Sequence, residues 1–430
     1  MWNIRLRHHR LIAVGLLACA VIATMLAGMG RGTEEEMKKA SSGGKTQTAI
    51  SGEDSPSKSD SAQDAQKPTS TQEEMRAVWV PMMSLQMEKP DEAAFQKKFD
   101  QIIKTSLEKG MNTLIVHVRP FGDALYPSEY FPWSHVVSGT QGVDPGFDPL
   151  AYMVKATHQA GMEFHAWVNP LRIQANGSPS ILAQDNPYQL WQKDEKKKGW
   201  TVKTDSGIYY NPAYPDVRRY IAEGVAEIVK NYEVDGIQFD DYFYPTQDAS
   251  FDADAYKSYQ NTAKKNGYTA LPLLEWRKAN INAMVSLVYQ RVKEENPKAV
   301  FGIAPQGNIS NDESMGADVS IWCAAKGYID YICPQMYVNF ENQALPYEST
   351  IQTWKEMILE DSIDFYVGLA VYKAGSAVDN GTWEKSDDIL ARQVMAGREI
   401  DCDGFMFYSW DYLDTEQTEA EMENVMKVLD

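Results

Sequence analysis

From Arg76 onward the sequence alternates eight times between a short run rich in β-branched and aromatic residues and a segment with helical periodicity. Eight such units predict an α/β protein with a closed parallel (β/α)8 barrel, the TIM-barrel fold, rather than an open sheet. The predicted strands are Arg76–Pro81, Thr113–Arg119, Glu163–Asn169, Gly236–Asp240, Val300–Pro305, Tyr328–Tyr337, Phe365–Val371 and Gly404–Trp410. The predicted helices are Asp91–Lys109, Pro149–Ala160, Pro215–Tyr232, Leu273–Asn296, Ala317–Lys326, Thr350–Leu359, Ser386–Glu399 and Glu416–Val428.

The segment from residue 74 to residue 430 is longer than the ~250 residues typical of such barrels. The surplus falls after the second, third and fourth predicted strands, so we expect enlarged loops there. Loops that follow barrel strands lie at the C-terminal rim, where the active sites of this fold are built. The extra residues are therefore expected around a functional site.

The first 29 residues are typical of a targeting segment rather than of a folded domain. Arg5, Arg7 and Arg10 precede an apolar run from Leu11 to about Met29, which is close to the ~20 residues that span a bilayer. Residues 1–29 are thus predicted to be a signal peptide or an uncleaved signal anchor. The rest of the chain is predicted to be extracytoplasmic, either secreted or anchored to the cytoplasmic membrane.

Residues 30–73 are rich in Ser, Thr, Gly, Lys, Gln and acidic residues, which predicts a disordered linker, and residues 74–430 are predicted to form the barrel. The formal net charge of −19 makes nucleic acid and anionic membrane surfaces poor partners. Membrane contact is expected only through the N-terminal segment, and we expect a monomer. The cysteines lack metal-ligand spacing, and a disulfide framework is not predicted.

The fourth predicted strand ends in two adjacent carboxylates within the run V-D-G-I-Q-F-D-D-Y-F-Y-P. Because side chains alternate along a strand, Gly236, Gln238 and Asp240 share one face, whereas Asp241 lies on the other face or in the loop. Asp240 is therefore predicted to point into the barrel mouth. The structural alternative is that one or both aspartates cap the next helix or bind backbone N–H groups.

Polar and aromatic side chains recur at the same end of the other strands. Alternation places His117 and Arg119 on one face of the second strand, and His165, Trp167 and Asn169 on one face of the third. Further candidates for substrate binding follow the later strands: Tyr244, Gln306, Gln335, Tyr337, Tyr408 and Trp410. Each has a structural alternative, as a hydrogen-bonded core histidine, an ion-pair partner of an aspartate, or an aromatic that packs the barrel mouth.

Aromatic rings, planar amides, a histidine and carboxylates together suit a carbohydrate ligand, because sugars have apolar faces and many hydroxyl groups. Glycosidic cleavage needs one carboxylic acid as general acid and one carboxylate as nucleophile or base. We expect Asp240 in the second of these roles. The other carboxyl group is left open between Asp241, Asp123 and Asp411. Arg119 is a candidate to hold an aspartate ionised or to bind an acidic sugar substituent.

No cofactor or metal site is predicted, since the sequence has no phosphate-binding loop, dinucleotide fingerprint, H-E-x-x-H or G-x-S-x-G motif. Two alternatives to a glycosidase remain at this point. One is a non-catalytic barrel that binds glycans through the same aromatic residues. The other is a metal-dependent hydrolase that uses His117, His165 and Asp240.

Five ordered motifs resemble the bacterial glycosyl-hydrolase-like family 10. These motifs are Arg76–Val80, Val118–Tyr126, Phe164–Pro170, Asp235–Pro245 and Pro334–Tyr337. The resemblance covers roughly residues 75 to 413. It implies a (β/α)8 glycosidase fold, with a carboxylate at the end of the fourth strand where related barrel glycosidases often keep their nucleophile. We therefore expect an exported glycoside hydrolase, retaining or inverting, that acts on a polysaccharide of the bacterial cell wall or the environment.

The sequence departs from related patterns at two positions. Gln238 stands where this family commonly has a histidine, so no role is carried over to a histidine there. The fourth strand is also similar to the D-G-I-x-x-D-x-E signature of chitinase-like barrels, but Tyr242 replaces the acidic glutamate. A chitinase mechanism is therefore not implied.

Overall fold

The computed structural model describes residues 73–241 and 243–429. The predicted leader and the predicted linker through residue 72 lie outside the described residues. Within the described part of the chain, none of the helices has the length and apolar character needed to cross a membrane.

Eight parallel strands close into a barrel, which confirms the (β/α)8 prediction. Around the barrel the strand order is β1, β11, β10, β9, β8, β7, β3, β2. The barrel strands are β1 (Met75–Val80), β2 (Thr113–Arg119), β3 (Glu163–Val168), β7 (Gly236–Phe239), β8 (Val300–Ile303), β9 (Tyr331–Ile332), β10 (Asp364–Ala370) and β11 (Gly404–Tyr408). Between β3 and the next barrel helix lies a three-stranded antiparallel sheet of order β4, β6, β5. Its strands are β4 (Arg172–Ala175), β5 (Thr201–Thr204) and β6 (Gly207–Tyr210).

Helices surround the barrel and decorate its C-terminal rim. They are α1 (Met82–Leu85), α2 (Glu92–Glu108), α3 (His135–Ser138), α4 (Pro149–Gln159), α5 (Pro187–Trp191), α6 (Pro215–Asn231), α7 (Ala253–Asn266), α8 (Leu273–Glu295), α9 (Ile309–Ser314), α10 (Val319–Ala324), α11 (Tyr347–Met357), α12 (Val378–Gly381), α13 (Ile389–Glu399) and α14 (Glu419–Leu429). Short 3-10 turns occupy Lys198–Trp200, Val371–Lys373, Thr382–Glu384 and Trp410–Tyr412.

Alternating side chains of the strands divide between two buried layers. Along β1, Ala77 and Trp79 point into the barrel, whereas Val78 and Val80 pack under the helices. The barrel interior is unusually aromatic, because Tyr331 and Tyr366 fill it below Trp79. Side chains that continue the inward face at the strand ends therefore emerge at the C-terminal mouth, where the predicted site lies.

Two local irregularities changed the predicted pattern. The sixth predicted strand, Tyr328–Tyr337, is reduced to β9 because Pro334 has no N–H to donate to the ladder; pairing resumes only as single bridges from Gln335 to Gln306 and Gly368. In β2 the register shifts between His117 and Arg119, so that His117 pairs with Trp167 but Arg119 pairs with Val168. This bulge turns Arg119 to the face opposite His117, and the prediction that they share a face is wrong.

Candidate active site

A cleft of about 270 Å³ opens at the C-terminal end of the barrel. Its walls come from residues that follow or end six of the barrel strands, together with the start of β4. The lining residues are Trp79, Pro81, Met82, Met83, His117, Trp167, Arg172, Asp240, Asp241, Gln335, Tyr337 and Tyr408. The structure thus brings together seven of the residues predicted from sequence: His117, Trp167, Asp240, Asp241, Gln335, Tyr337 and Tyr408.

Asp240 follows directly after β7 and is only 3% exposed. Its Oδ2 accepts a hydrogen bond from the Trp167 indole Nε1 at 3.1 Å and a second from the Asn169 side-chain amide. Both donors come from the inward face of β3 and the residue after it, as alternation predicted. Hydrogen bonds donated to a carboxylate stabilise its ionised form. The surroundings of Asp240 therefore favour a negative charge in the cleft.

The orientation of the Asn169 amide is fixed by its neighbours. The Arg172 guanidinium, which can only donate, bonds to Asn169 Oδ1, so the amide nitrogen must face Asp240. Arg172 is held in turn by its Nε, which donates to the Pro120 carbonyl at 2.9 Å, and by the Phe121 ring 5.0 Å away. Arg172 thus fixes the orientation of the Asn169 amide so that its N–H group donates to Asp240.

His117 lies against the same group. Its ring stacks on the Trp167 indole at 3.8 Å with an interplanar angle of 7°, and its Nε2 lies 3.2 Å from Asn169 Oδ1. Burial, followed by the positive charge of Arg172, lowers the pKa of His117 well below its ordinary value. Since Asn169 Oδ1 is an acceptor, the neutral imidazole carries its proton on Nε2 and donates it there. His117 is a positioning group rather than a cation in the cleft.

Asp241 also lines the cleft: of the two positions left open for it, the other face of the strand or the loop, the structure shows the loop. β7 ends at Phe239, and strand alternation no longer governs the two aspartates that follow. Burial raises the pKa of Asp241 above its ordinary value, although the Gln335 amide, 3.5 Å away, and the charge of Arg172 oppose the rise. Gln335 is itself anchored by donation to the Ala304 carbonyl at 3.0 Å.

Aromatic and apolar side chains form the opposite wall. Trp79 packs edge-on against Tyr408 at 6.0 Å, and Tyr408 lies 5.7 Å from Tyr337. The Trp79 indole donates to Gln238 inside the barrel, which fixes the ring at the cleft floor. Met82 and Met83 complete this wall from the turn after β1. The cleft therefore has one acidic, amide-rich side and one apolar side.

The other predicted residues lie outside the cleft. Arg119 is 1% exposed and stacks on the Phe131 ring at 4.4 Å beneath α6, because the bulge in β2 directs it outward. Asp123 is fully buried and accepts from Gln141 at 2.8 Å, with His135 at 3.3 Å, so it stabilises the loop after β2. Neither side chain can contact a ligand in the cleft.

Five further predicted residues lie outside the cleft lining. His165 lies in the barrel interior, bonded to Tyr331, where Gly236 leaves room for it: a Cβ at Gly236 would lie 2.7 Å from His165 Nδ1. Tyr244 is buried with the Arg277 guanidinium 4.9 Å from its ring centre. Gln306 and Trp410 are partly exposed but are not part of the cleft lining. Asp411 is held on the rim by Ser84, which donates to it at 2.8 Å.

Several lining residues were not predicted. Trp79 shares the inward face of β1 with Ala77, so the alternation of side chains along this strand could have identified it. Arg172 lies in β4, whose position over the barrel mouth has no mark in the sequence. Asp312 in α9 is not a lining residue but was also not predicted: it is 2% exposed, its Oδ1 accepts from the Gln306 N–H at 3.0 Å, and burial, together with the charge of Asp241, raises its pKa to about 9.

The metal-dependent alternative requires His117, His165 and Asp240 around one ion. His165 lies in the barrel interior against Tyr331, while His117 is bonded to Asn169 at the mouth. Across residues 73–241 and 243–429, no three His, Cys, Asp or Glu side chains are grouped so that they could hold a metal ion.

Comparison with known proteins adds an independent line of information. Residues 74–385 match the family described as glycosyl hydrolase-like 10. The chain is 32% identical to the glycosyl hydrolase YngK of Bacillus subtilis (strain 168) over 353 residues, which are 76% of this chain and 66% of YngK. It is 30% identical to the glycosyl hydrolase DigH of Escherichia coli (strain K12) over 368 residues, 80% of this chain and 82% of DigH. The chain thus spans just under two thirds of the length of YngK.

Solved structures share the fold at lower identity. The glycoside hydrolase domain of PgaB (BpsB) from Bordetella bronchiseptica superposes with a TM-score of 0.55 at 16% identity, over 82% of this chain and 99% of that one. The alpha-L-fucosidase isoenzyme 2 from Paenibacillus thiaminolyticus gives a TM-score of 0.51 at 12% identity, over 83% and 49% of the two chains. These likenesses concern the barrel and not individual site residues.

Proposed function

The chain belongs to the glycosyl hydrolase-like 10 family and is a glycoside hydrolase, and from this premise we propose that it is exported and cleaves O-glycosidic bonds in a bacterial cell-wall or environmental polysaccharide with Asp240 as nucleophile or base. One observation carries the assignment of Asp240: within the cleft its carboxylate accepts hydrogen bonds from both Trp167 and Asn169. A transition state with oxocarbenium character requires a negative charge held close to the anomeric carbon.

Asp241 supplies the general acid in this proposal. Burial raises its pKa, so the carboxyl group keeps a proton to higher pH than an exposed aspartate does. The proton passes to the glycosidic oxygen as the C–O bond breaks, and the anomeric carbon ends with the hydroxyl group of a water molecule. The other proton of that water returns to Asp241 if Asp240 is the nucleophile, or passes to Asp240 if Asp240 is the base. Because the protonated form of Asp241 is the active one, turnover is expected to fall as pH rises through its raised pKa.

The walls of the cleft favour a sugar as the bound group. Trp79, Tyr337 and Tyr408 offer aromatic surface to the C–H face of a pyranose ring, while Gln335 and Arg172 offer donors to its hydroxyl groups. The predicted leader, with its basic residues before an apolar run, supports action outside the cytoplasm. Envelope and environmental polysaccharides are the substrates available there.

The test is direct incubation of the protein with purified cell-wall glycans and a panel of common polysaccharides, followed by mass spectrometry of released fragments. We expect defined oligosaccharides from at least one substrate with the native protein, and none with Asp240→Asn. Binding without release of fragments would instead identify a non-catalytic glycan-binding barrel.

The same reaction tests for metal dependence. The roles given to Asp240 and Asp241 need no ion, so the rate of fragment release is expected to be unchanged by EDTA. Loss of release on chelation, with recovery on addition of zinc, would contradict the two-carboxylate mechanism.

A further inference from the structure

The cleft is small for a polysaccharide. Its volume of about 270 Å³ lies just below the ~300–1,000 Å³ range of typical ligand pockets. A sugar chain that is cleaved between Asp240 and the aromatic wall must therefore continue over the rim of the barrel. The rim surface next to the cleft decides which parts of the chain are bound.

A row of tyrosines leads out of the cleft across the ends of β9, β10 and β11. Tyr337 and Tyr408 line the cleft, and both pack against Tyr372, with ring centres 6.0 and 5.9 Å away. Tyr372 in turn lies 6.1 Å from Tyr412. Tyr372 and Tyr412 are partly exposed and are not part of the cleft lining. We call these four residues the tyrosine row.

The outer part of the row is held in place by its main chain. The Tyr372 carbonyl accepts from the Gln417 side chain at 3.1 Å, and the Tyr412 carbonyl accepts from Thr418 Oγ1 at 2.6 Å. These bonds involve only the carbonyl groups of the two tyrosines, and the Lys373 ammonium lies over the Tyr372 ring, 5.9 Å from its centre. Since the rings are already fixed by one another, binding would cost little side-chain entropy.

The chemistry of the row suits a neutral sugar chain. Lys373, the basic residue beside Tyr372, is paired with Asp379 at 2.9 Å, so the row presents no uncompensated cation for an acidic polymer at that point. Tyrosine rings stack on the apolar faces of pyranoses, and their hydroxyl groups exchange hydrogen bonds with sugar hydroxyls. The ring centres of Tyr337, Tyr372 and Tyr408 form a triangle with sides of 5.7 to 6.0 Å, and Tyr412 lies 6.1 Å from Tyr372, so the path out of the cleft runs through Tyr372 to Tyr412.

We propose that Tyr372 and Tyr412 form additional sugar-binding subsites that continue the cleft and hold units of the polysaccharide beyond those at the cleaved bond. This inference rests on the proposed function, because it assigns a longer binding surface to the same site. Affinity should then increase with the length of the glycan until the row is filled.

The test measures binding by the full chain with Asp240→Asn, which prevents turnover. The probes are neutral oligosaccharides of β-1,4-linked N-acetylglucosamine with two, four, six and eight sugars, and Kd is measured by titration calorimetry. We expect Kd to fall with glycan length, and Tyr372→Ala or Tyr412→Ala to reduce the gain from length by about 2- to 10-fold each. Tyr372→Phe, which keeps the ring, should retain most of the gain.

Tyr289→Ala is the matched control. Tyr289 is also partly exposed, but it lies near the C-terminal end of α8, and this end leads to the opposite mouth of the barrel. It should leave the length dependence unchanged. An identical length dependence in Tyr372→Ala and Tyr412→Ala would overturn the inference. If that result is found but the native protein still releases fragments from these glycans, the proposed function stands without the additional subsites. If the native protein neither binds nor cleaves any of the glycans or polysaccharides, the proposed function and the additional subsites are both wrong.

Discussion

Asp240 and Asp241 are neighbours in the chain, yet their carboxyl groups have different partners. Asp240 receives two hydrogen bonds from β3 and the residue after it, whereas Asp241, which is partly exposed, lies beside its own backbone N–H and the Gln335 amide. Two carboxyl groups in different environments are what the proposed acid and base roles require. Trp167, Asn169 and Arg172 are therefore as necessary to the site as the carboxylates they position.

Asp312 provides a prediction at the same scale. Its pKa is raised from 3.8 to about 9 in the folded protein, mainly by burial, so the folded state keeps a proton that the unfolded state releases. Stability from this group is fully present below pH ~4 and is lost as pH rises toward 9, by up to about 1.4 kcal/mol per pH unit. Asp312→Asn has no proton to lose. It should be increasingly more stable than the native protein between pH 5 and pH 8.

Urea denaturation at several pH values in this range measures the difference. Asp185→Asn, at an exposed position, is the control and should show no such trend. A stability difference between Asp312→Asn and the native protein that stays constant with pH would contradict the prediction.

Strand alternation predicted residue orientation correctly where the strands are regular. It placed His165, Trp167 and Asn169 on one face, and the contacts of all three agree. It failed at Arg119, because a bulge reverses the face without leaving a mark in the sequence. It could not decide the direction of Asp241, which lies in the loop because the strand ends two residues earlier. Periodicity therefore predicts side-chain direction only as far as the hydrogen-bonded ladder extends.

The helix α6 packs closely against the residues that the bulge in β2 directs outward. Arg119 and Phe131 lie stacked beneath the helix at Gly224. An added Cβ at Gly224 would come within 2.5 Å of Phe131 Cε2 and 2.8 Å of Arg119 Nη1. The glycine is needed for this close approach, although glycine is a poor helix former.

Gly224→Ala therefore sets two effects against each other. Helix propensity alone favours alanine by about 1 kcal/mol. Overpacking of a buried contact typically costs about 1–3 kcal/mol, and both neighbours are buried. We expect the free energy of unfolding to fall by up to about 2 kcal/mol in urea denaturation.

The exposed Lys230→Ala on the same helix is the control and should change stability by less than about 0.5 kcal/mol. A gain in stability for Gly224→Ala would show that the helix moves freely away from the barrel, contrary to this account.

For the whole molecule, the eight-fold alternation in the sequence was sufficient to predict the closed barrel and its enlarged loops. The contents of those loops were not predicted: the small sheet of β4, β5 and β6 has strands of four residues, too short for a clear periodicity. Their position depends on packing over the barrel mouth, as in the aromatic contacts of Trp191 with Trp200 and Tyr210. Arg172 enters the cleft through that packing.

The predicted division of the chain also has a test at this scale. If residues 1–29 take no part in the barrel, a shortened chain that begins at Thr71 should be soluble and unfold in one cooperative transition. Thermal unfolding followed by circular dichroism, with the full chain in parallel, measures this. Aggregation of the shortened chain under conditions in which the full chain stays dispersed would place the boundary elsewhere.

The central claim is that the charge of Asp240 drives glycosidic cleavage, and the turnover of Asp240→Asn tests it most directly. The substitution keeps the size of the side chain and its place beside Trp167 and Asn169, but removes the negative charge. With the glycan that the native protein cleaves, kcat should fall by several orders of magnitude, while the thermal unfolding temperature and the Kd for the intact glycan remain close to native values. A variant that retains turnover close to that of the native protein would contradict the role assigned to Asp240.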